Sequence, residues 1–375
     1  MTTDWIRTPE ALARLADAIR GGRALALDSE SDSLYHHFDK VCLVQIATEG
    51  GSAYLVDPLV LKDQSPLAPF MADPGITKVL HGADYDITTL KRDFGFSFAG
   101  IFDTMIAARF LGLPEIGLQS VARRELGVEL SKSSQKDDWS RRPLTPTQES
   151  YARADVQHLL PLHARLVAQL RAVGRLAWVE EECAAVAALE PARRRKEKDA
   201  YQKVKGARRL KPRALAILRE LFAWRETRAE ATDVPAFKIA SNETLLALAA
   251  AAPRTRGDLA QARLNGRLLD HGAALLGAVQ RGLALVETDL PSVPREPRPV
   301  VSDEVRRRTD ALRDWRKKEA EAQKLDPSVV LPQRLIDRLA EAAPRDTLAL
   351  ARVLGLRRWR IEAFGTALVR AIAVR

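Results

Sequence analysis

The C-terminal part of this 375-residue chain repeats itself. At an offset of 91 residues and without a gap, LFAWRETRAEA (221–231) lies over LRDWRKKEAEA (312–322), and LAAAAPR (248–254) lies over LAEAAPR (339–345). Fourteen of the 40 positions from Leu221 to Ala260 are identical in this overlay, including Trp224/Trp315, Arg225/Arg316, Pro253/Pro344 and Arg254/Arg345. Self-similarity of this kind means two copies of one structural unit. From residue 214 onward strand signals vanish and Ala, Leu and Arg dominate, so the copies are small helical domains. Between them PSVPREPRP (291–299) holds four prolines in nine residues and is expected to be a stiff, extended spacer.

The first two hundred residues read differently, with helical and strand patterns in alternation, the mark of an α/β layer structure. Thr8-Pro9-Glu10 opens a helix as N-cap, N1 proline and first-turn acid, and Gly21-Gly22 closes it. Ala24–Leu27, Val41–Ala47, Ala53–Val56 and Lys78–Leu80 are expected strands; Tyr85–Arg92 and Asp103–Leu111 have helical spacing. Thr145-Pro146-Thr147-Gln148 is a capping box, after which an apolar pattern runs as one helix to about Leu170. SKSSQKDDWSRRP (131–143) is polar, charged and without period, an exposed loop. Its Lys132, Lys136, Arg141 and Arg142 either close over a substrate or belong to an ordinary solvated segment.

Charge is distributed unevenly. Residues 1–192 carry 20 Lys/Arg against 26 Asp/Glu, a net of −6; residues 193–213 carry 11 against 2, a net of +9; the remainder carries 28 against 21, a net of +7. A basic stretch beside an acidic domain suits a polyanion held by one part and worked on by another. Cys42 and Cys183 stand far apart with no CxxC, which excludes a disulfide framework and a thiolate zinc site and points to a reducing compartment. The first residues lack the apolar core of a secretory signal, and the longest strongly apolar run, Leu245–Ala252, is far short of the ~18 residues a bilayer span needs. A cytoplasmic protein with no membrane contact is expected. No GxxxxGK[ST] occurs, so no nucleotide cofactor is expected either.

Three groups of residues have chemical potential. Asp28-Ser29-Glu30 ends the first expected strand, where period-two alternation puts both carboxylates on one face. His81-Gly-Ala-Asp-Tyr-Asp86 leads from a strand into a helix, where Asp84 could equally be an N-cap. Tyr151-Ala-Arg-Ala-Asp155 places a phenol and a carboxylate one turn apart on a well-capped helix, a pattern an amphipathic face also gives. Taken together, four converging carboxylates would repel one another by several kcal/mol unless cations neutralised them. Oxygen-only donors select hard ions, Mg²⁺ or Mn²⁺. Two such ions ~4 Å apart clamp the attacking and leaving oxygens of an in-line phosphoryl displacement, and a nearby tyrosine can orient the water.

Asp28-x-Glu30, Asp86 and Tyr151-x-x-x-Asp155, in this order and spacing, resemble the three motifs of the DEDD superfamily of 3′→5′ exonucleases in its tyrosine subclass. FDTMIAARFLG (102–112), GLQSVARRELGVEL (117–130) and DDWSRRPLTPTQESYARADVQHLLPL (137–162) resemble the bacterial ribonuclease D family, and the duplicated helical units resemble its helicase-and-ribonuclease-D C-terminal (HRDC) modules. The resemblance implies a ribonuclease-H-like α/β domain, a mixed sheet flanked by helices, followed by two small all-α domains. It implies boundaries at 1–190 for the nuclease, 191–210 for a basic linker, 211–288 and 301–375 for the helical domains, and 289–300 for the Pro-rich linker. Asp28 would bridge both metals, Glu30 and Asp155 would complete the first site, Asp86 would serve the second, and Tyr151 would position the water. The histidine subclass would have His where Ser150 stands. His81 and Asp103, also in family-like segments, are expected to be structural.

The leading expectation is a monomeric two-metal exoribonuclease that releases nucleoside 5′-monophosphates from RNA 3′ ends, with tRNA precursors as the implied substrate. A DNA-directed exonuclease with the same site is a second reading, since metal ligands do not report the sugar. A non-catalytic RNA-binding scaffold is a third, and it predicts loss of acids that are all present. Trp224, Trp315 and Trp359 sit at helical spacing among Leu and Ala and are expected in cores rather than as base platforms. Removal of residues 207–375 is expected to weaken RNA binding while leaving hydrolysis of short oligonucleotides.

Overall fold

Val41–Thr48 is apolar at nearly every position, and in the computed structural model it is a central strand, buried along its whole length. The structure describes residues 4–191, 199–261, 266–292 and 302–373. Part of the expected basic linker (192–198) and nearly all of the Pro-rich spacer (from 293) lie outside them. The chain forms two compact units: residues 1–31, 41–192 and 300–375 make the first, residues 32–40 and 193–299 the second.

The first unit is built on a six-stranded mixed sheet of β1 (Asp4–Ile6), β2 (Ala24–Ser31), β3 (Val41–Thr48), β4 (Ala53–Val56), β5 (Thr77–Leu80) and β6 (Ile101–Asp103), in the order β1-β4-β3-β2-β5-β6. β2, β3 and β4 form an antiparallel meander, and β1, β5 and β6 join in parallel. Helices α1 (Pro9–Ile19), α2 (Ala68–Ala72), α3 (Asp84–Phe94), α4 (Thr104–Phe110), α5 (Leu118–Leu126), α6 (Pro146–Gln157), α7 (Leu159–Ala172) and α8 (Leu176–Ala187) flank it. α1 starts as its sequence predicts, with the Thr8 hydroxyl accepting from Ala11 N–H and Pro9 at N1. β2 runs four residues beyond Leu27 and carries Asp28-Ser29-Glu30 at its end, as the sequence suggests. The long helix expected from 145 breaks at His158 into α6 and α7. β1 and β6, three residues each, were too short to stand out in the sequence.

The same unit contains the second repeat copy: α15 (Asp303–Gln323), α16 (Pro327–Val330), α17 (Gln333–Ala342), α18 (Thr347–Leu350) and α19 (Arg358–Ile372). Its apolar residues continue the nuclease core without interruption. Trp359 stacks on Trp178 of α8 with centroids 4.5 Å apart, and Phe110 and Phe364 meet the pair edge-on. Glu181 accepts from the backbone N–H groups of Arg358 and Trp359 at 2.8 Å, so a carboxylate from α8 caps the start of α19. Glu182 accepts from the indole of Trp359 at 3.0 Å and the guanidinium of Arg360 at 2.6 Å. Gly112 takes a φ of +72°, and a Cβ there would run into the carbonyl of Lys324.

The second unit holds the first copy: α9 (Pro212–Thr232), α10 (Ala236–Ile239), α11 (Asn242–Ala251), α12 (Arg256–Gln261), α13 (Gly266–Leu269) and α14 (Gly272–Ala284). The overlay is exact in structure for three helices, since α9, α10 and α11 begin and end 91 residues before α15, α16 and α17. Corresponding helix ends take left-handed φ at Asp233 and Lys324 and at Ala252 and Ala343. Arg225 donates to the Ala240 carbonyl, and its counterpart Arg316 donates to Leu331, each at 3.2 Å. Residues 199–210 depart from the expected linker: Tyr201, Val204 and Ala207 are buried in this copy's core, because an apolar residue every third or fourth position gives a basic segment an inward face.

The shared core corrects the expectation that everything after 207 can be removed without harm to the nuclease. Truncation after residue 292 would bare Phe110 and Trp178, so it should lower the denaturation midpoint of the nuclease domain and raise its protease sensitivity. Trp359→Ala alone should cost about 3–5 kcal/mol in urea unfolding; an unchanged midpoint in either variant would refute the shared core.

Candidate active site

The candidate residues arrive from three elements. Asp28 and Glu30 project from the end of β2, where period two sets them on the same face. Asp86 sits in the first turn of α3. Tyr151 and Asp155 lie one turn apart on α6, whose start is fixed by the expected capping box: Thr145 Oγ1 accepts from Gln148 N–H at 3.2 Å, and Gln148 Oε1 accepts from Thr145 N–H at 2.9 Å. Asp28, Glu30 and Asp155 each offer an oxygen to a set whose members lie within 4.8 Å of one another. The Tyr151 phenol donates to the Asp155 carboxylate. Ser29 Oγ donates to Asp86 Oδ1 at 2.5 Å.

Asp28, Ser29, Glu30, Asp86, Tyr151 and Asp155 line one open cavity of about 360 Å³, together with His81, Tyr85, Leu118, Gln119, Lys132 and Gln135. None of the four carboxylates forms an ion pair among the described residues, and the electrostatics follow from that. Burial first, then the charges of Asp86, Asp155 and Glu30, push Asp28 well above the usual carboxylate range. Burial and the charges of Asp155, Asp86 and Asp137 raise Glu30 to about 9. Burial raises Asp155 to about 7 against the pull of the Tyr151 hydrogen bond, and Asp86 to about 6 against that of Ser29. Burial and the neighbouring Asp155 push the Tyr151 phenol upward, so it stays un-ionised. An oxygen-only set of mutually repelling, unpaired carboxylates fits hard divalent cations.

Neighbouring residues correct several expectations. Asp84 does not cap α3; Ala83 holds the cap position, and the buried Asp103 reaches across to accept from Gly82 and Ala83 N–H at 3.0 and 2.9 Å. Asp103 also caps its own helix through Met105 and Ile106 N–H, so it is structural, as expected. His81 is tied to Thr104 at 2.9 Å but also faces the cavity. In the 131–143 loop Trp139 is 1% exposed and packs 6.0 Å from the Tyr151 ring. Arg142 is committed to the buried Asp57 at 2.8 and 2.9 Å, and Arg141 pairs with Asp138. That segment is a wall behind Tyr151 rather than a purely solvated loop, and Lys132 is its one cation lining the cavity. Sequence reasoning passed over Ser29, Tyr85 and Gln119; a hydroxyl between two acids and an aromatic beside a third were the available signals.

Comparisons with known proteins give the family. A family model described as 3′-5′ exonuclease matches residues 3–171, and the HRDC domain model matches twice, at 214–279 and 306–372. Ribonuclease D of Pseudomonas paraeruginosa is 33% identical over 372 residues, covering 98% of this chain and 97% of that protein. This chain belongs to the ribonuclease D family. Ribonuclease D of Escherichia coli is 35% identical over 297 residues, 78% of each chain. The crystal structure of Escherichia coli RNase D, described as an exoribonuclease involved in structured RNA processing, matches with a TM-score of 0.71 and 30% identity over 99% of both chains. The family accounts for the fold expected from sequence, a mixed α/β exonuclease domain followed by helical HRDC modules, and for divalent-metal chemistry at the acidic cluster.

The raised acids give the metal-free protein a pH signature. Glu30, Asp155 and Asp86 bind protons more tightly folded than at their unfolded values of 4.5, 3.8 and 3.8. The stability this supplies is complete below about pH 4 and is lost as pH rises through about 6, 7 and 9. In EDTA, Glu30→Gln should therefore be more stable than wild type at pH 8, by more than about 1 kcal/mol, and no more stable at pH 5. Thermal melts at both pH values check this; Mn²⁺ at pH 8 should raise the wild-type Tm and not that of the variant to the same extent.

Proposed function

We infer that the chain is a metal-dependent 3′→5′ exoribonuclease that removes nucleotides singly from RNA 3′ ends and releases nucleoside 5′-monophosphates. The observation that carries this reading is the unpaired acidic set of Asp28, Glu30 and Asp155 with Asp86 beside it and an un-ionised Tyr151 donating to Asp155. Asp28, Glu30, Asp86 and Asp155 hold two divalent cations, Mg²⁺ or Mn²⁺. When bound, these ions supply the positive charge that an in-line phosphoryl displacement needs at its attacking and leaving oxygens. Tyr151 spends its proton on Asp155, which leaves its phenol oxygen free to accept from a water and turn that water's lone pair toward phosphorus. Water forms the new P–O bond, the P–O3′ bond breaks, and the leaving oxygen takes a proton to become the 3′-hydroxyl of the shortened chain. Trp139, packed behind Tyr151, keeps the phenol in place.

In this reading residues 1–190 cut, and the helical domains at 211–288 and 301–375 hold the RNA body through its phosphates, which gives affinity with little sequence reading. Structured RNA is the substrate class, and tRNA precursors fit it; the likeness to an exoribonuclease involved in structured RNA processing supports this. A monomer acting in the cytoplasm completes the proposal, and no described helix is long and apolar enough to cross a membrane.

The test uses 3′- and 5′-labelled RNA and DNA of one sequence. Asp28→Ala should abolish activity, Tyr151→Phe should lower kcat about 10²- to 10⁴-fold with little change in KM, and EDTA should stop the reaction. Full activity in either variant, or in EDTA, would sink the assignment, and equal cleavage of DNA would favour the DNA-directed reading.

A further inference from the structure

Ser29 stands between Asp28 and Glu30 on β2 and lines the same cavity, where its hydroxyl meets a carboxylate. The partner is Asp86, at 2.5 Å. Asp86 is also the one member of the four that contributes no oxygen to the set formed by Asp28, Glu30 and Asp155. It comes from α3, whereas Asp28 and Glu30 share a strand and Asp155 is braced by Tyr151. The Ser29 backbone also hydrogen-bonds the Asp86 carboxylate, and next to it Tyr85 Oη lies 2.7 Å from Ser31 Oγ, so the hydroxyl is the side-chain part of the tie between α3 and the strand.

A short hydrogen bond to an ionised acceptor is among the stronger ones a side chain makes, and it fixes direction as well as distance. Ser29 therefore does for Asp86 what the Tyr151 phenol does for Asp155: its hydroxyl donates to the carboxylate and limits how that carboxylate can turn. We propose that Ser29 is a positioning residue that governs occupancy of the second cation, the one Asp86 serves, while leaving the first untouched. This rests on the two-cation reading of the site.

The experiment uses the full chain as wild type, Ser29→Ala, Ser29→Thr and Asp86→Asn, with Mn²⁺ binding followed by calorimetry and by electron paramagnetic resonance of the coupled ion pair. Wild type should bind two Mn²⁺. Ser29→Ala should bind the first as wild type does and the second roughly 10- to 100-fold more weakly, with loss of the spin coupling at low Mn²⁺. Its kcat should recover at high Mn²⁺, its Tm should stay at the wild-type value, and Ser29→Thr, which keeps the hydroxyl, should bind both ions normally. Asp86→Asn sets the reference for loss of the second ion. A Ser29→Ala protein that binds both ions like wild type overturns the role of Ser29. Equal weakening of both ions, or a Tm drop that Ser29→Thr shares, overturns it in favour of a general packing role. A single Mn²⁺ in the wild type would instead overturn the two-cation reading itself.

Discussion

Repulsion among Asp28, Glu30, Asp86 and Asp155 is the constraint around which the first unit is organised. Left alone, a set like this would spread apart; the fold holds it together, and burial together with the neighbouring charges raises Glu30, Asp155 and Asp86 towards their protonated forms. The hold comes from rigid supports outside the acidic set. β2 is locked between β3 and β5, Asp103 staples the entry of α3 to that of α4, and a capping box sets the start of α6. Each support is satisfied by its own hydrogen bonds and none depends on the cations. The geometry therefore stands without an ion, and in the proposed reading cation binding would relieve charge instead of having to build geometry.

The tandem repeat shows one sequence pattern serving two structural ends. Both copies keep the long first helix, the left-handed corner and the inward arginine that ties it to the next segment. The first copy closes a core of its own, with Tyr201 and Val204 from the preceding segment filling it. The second has its apolar residues continuous with the nuclease core, and Trp359, at the start of its last helix, is what Trp178 stacks against. That continuity makes the second copy part of the same compact unit as the nuclease.

Much of this was legible in the sequence because local rules and tertiary demands agree there. Thr8-Pro9 and Thr145-x-x-Gln148 carry their helix starts whatever packs around them, and the D-x-E and Y-x-x-x-D spacings translate directly into shared faces. The missed elements are those whose cause is distant. β1 and β6 are three-residue strands stabilised by neighbours, so no window of their own sequence marks them. The 131–143 loop reads as solvated because its composition is polar, yet a buried Trp139 and an Arg142 anchored by Asp57 just after β4 turn it into a wall. Asp84 looks like a cap from its position alone, and only the fold brings Asp103 close enough to take that role.

The charge imbalance needs the same correction. Counting Lys and Arg in the helical part suggests a uniformly basic grip, but a guanidinium can serve the interior as well as a ligand. Arg225, Arg316 and Arg360 direct N–H groups at backbone carbonyls, Arg360 and Arg357 also neutralise Glu182, and Arg213 is turned onto the carbonyls of Leu283 and Leu285. These five hold helices together and have little left for phosphate. In the proposed reading, attraction for RNA then comes from cations at the surface, where it is long-ranged and screened by salt, while the buried Arg225 and Arg360 contribute to stability and are screened much less. Formal charge bounds the strength of such a grip from above, and what determines it is how much of that charge the fold has left unspent.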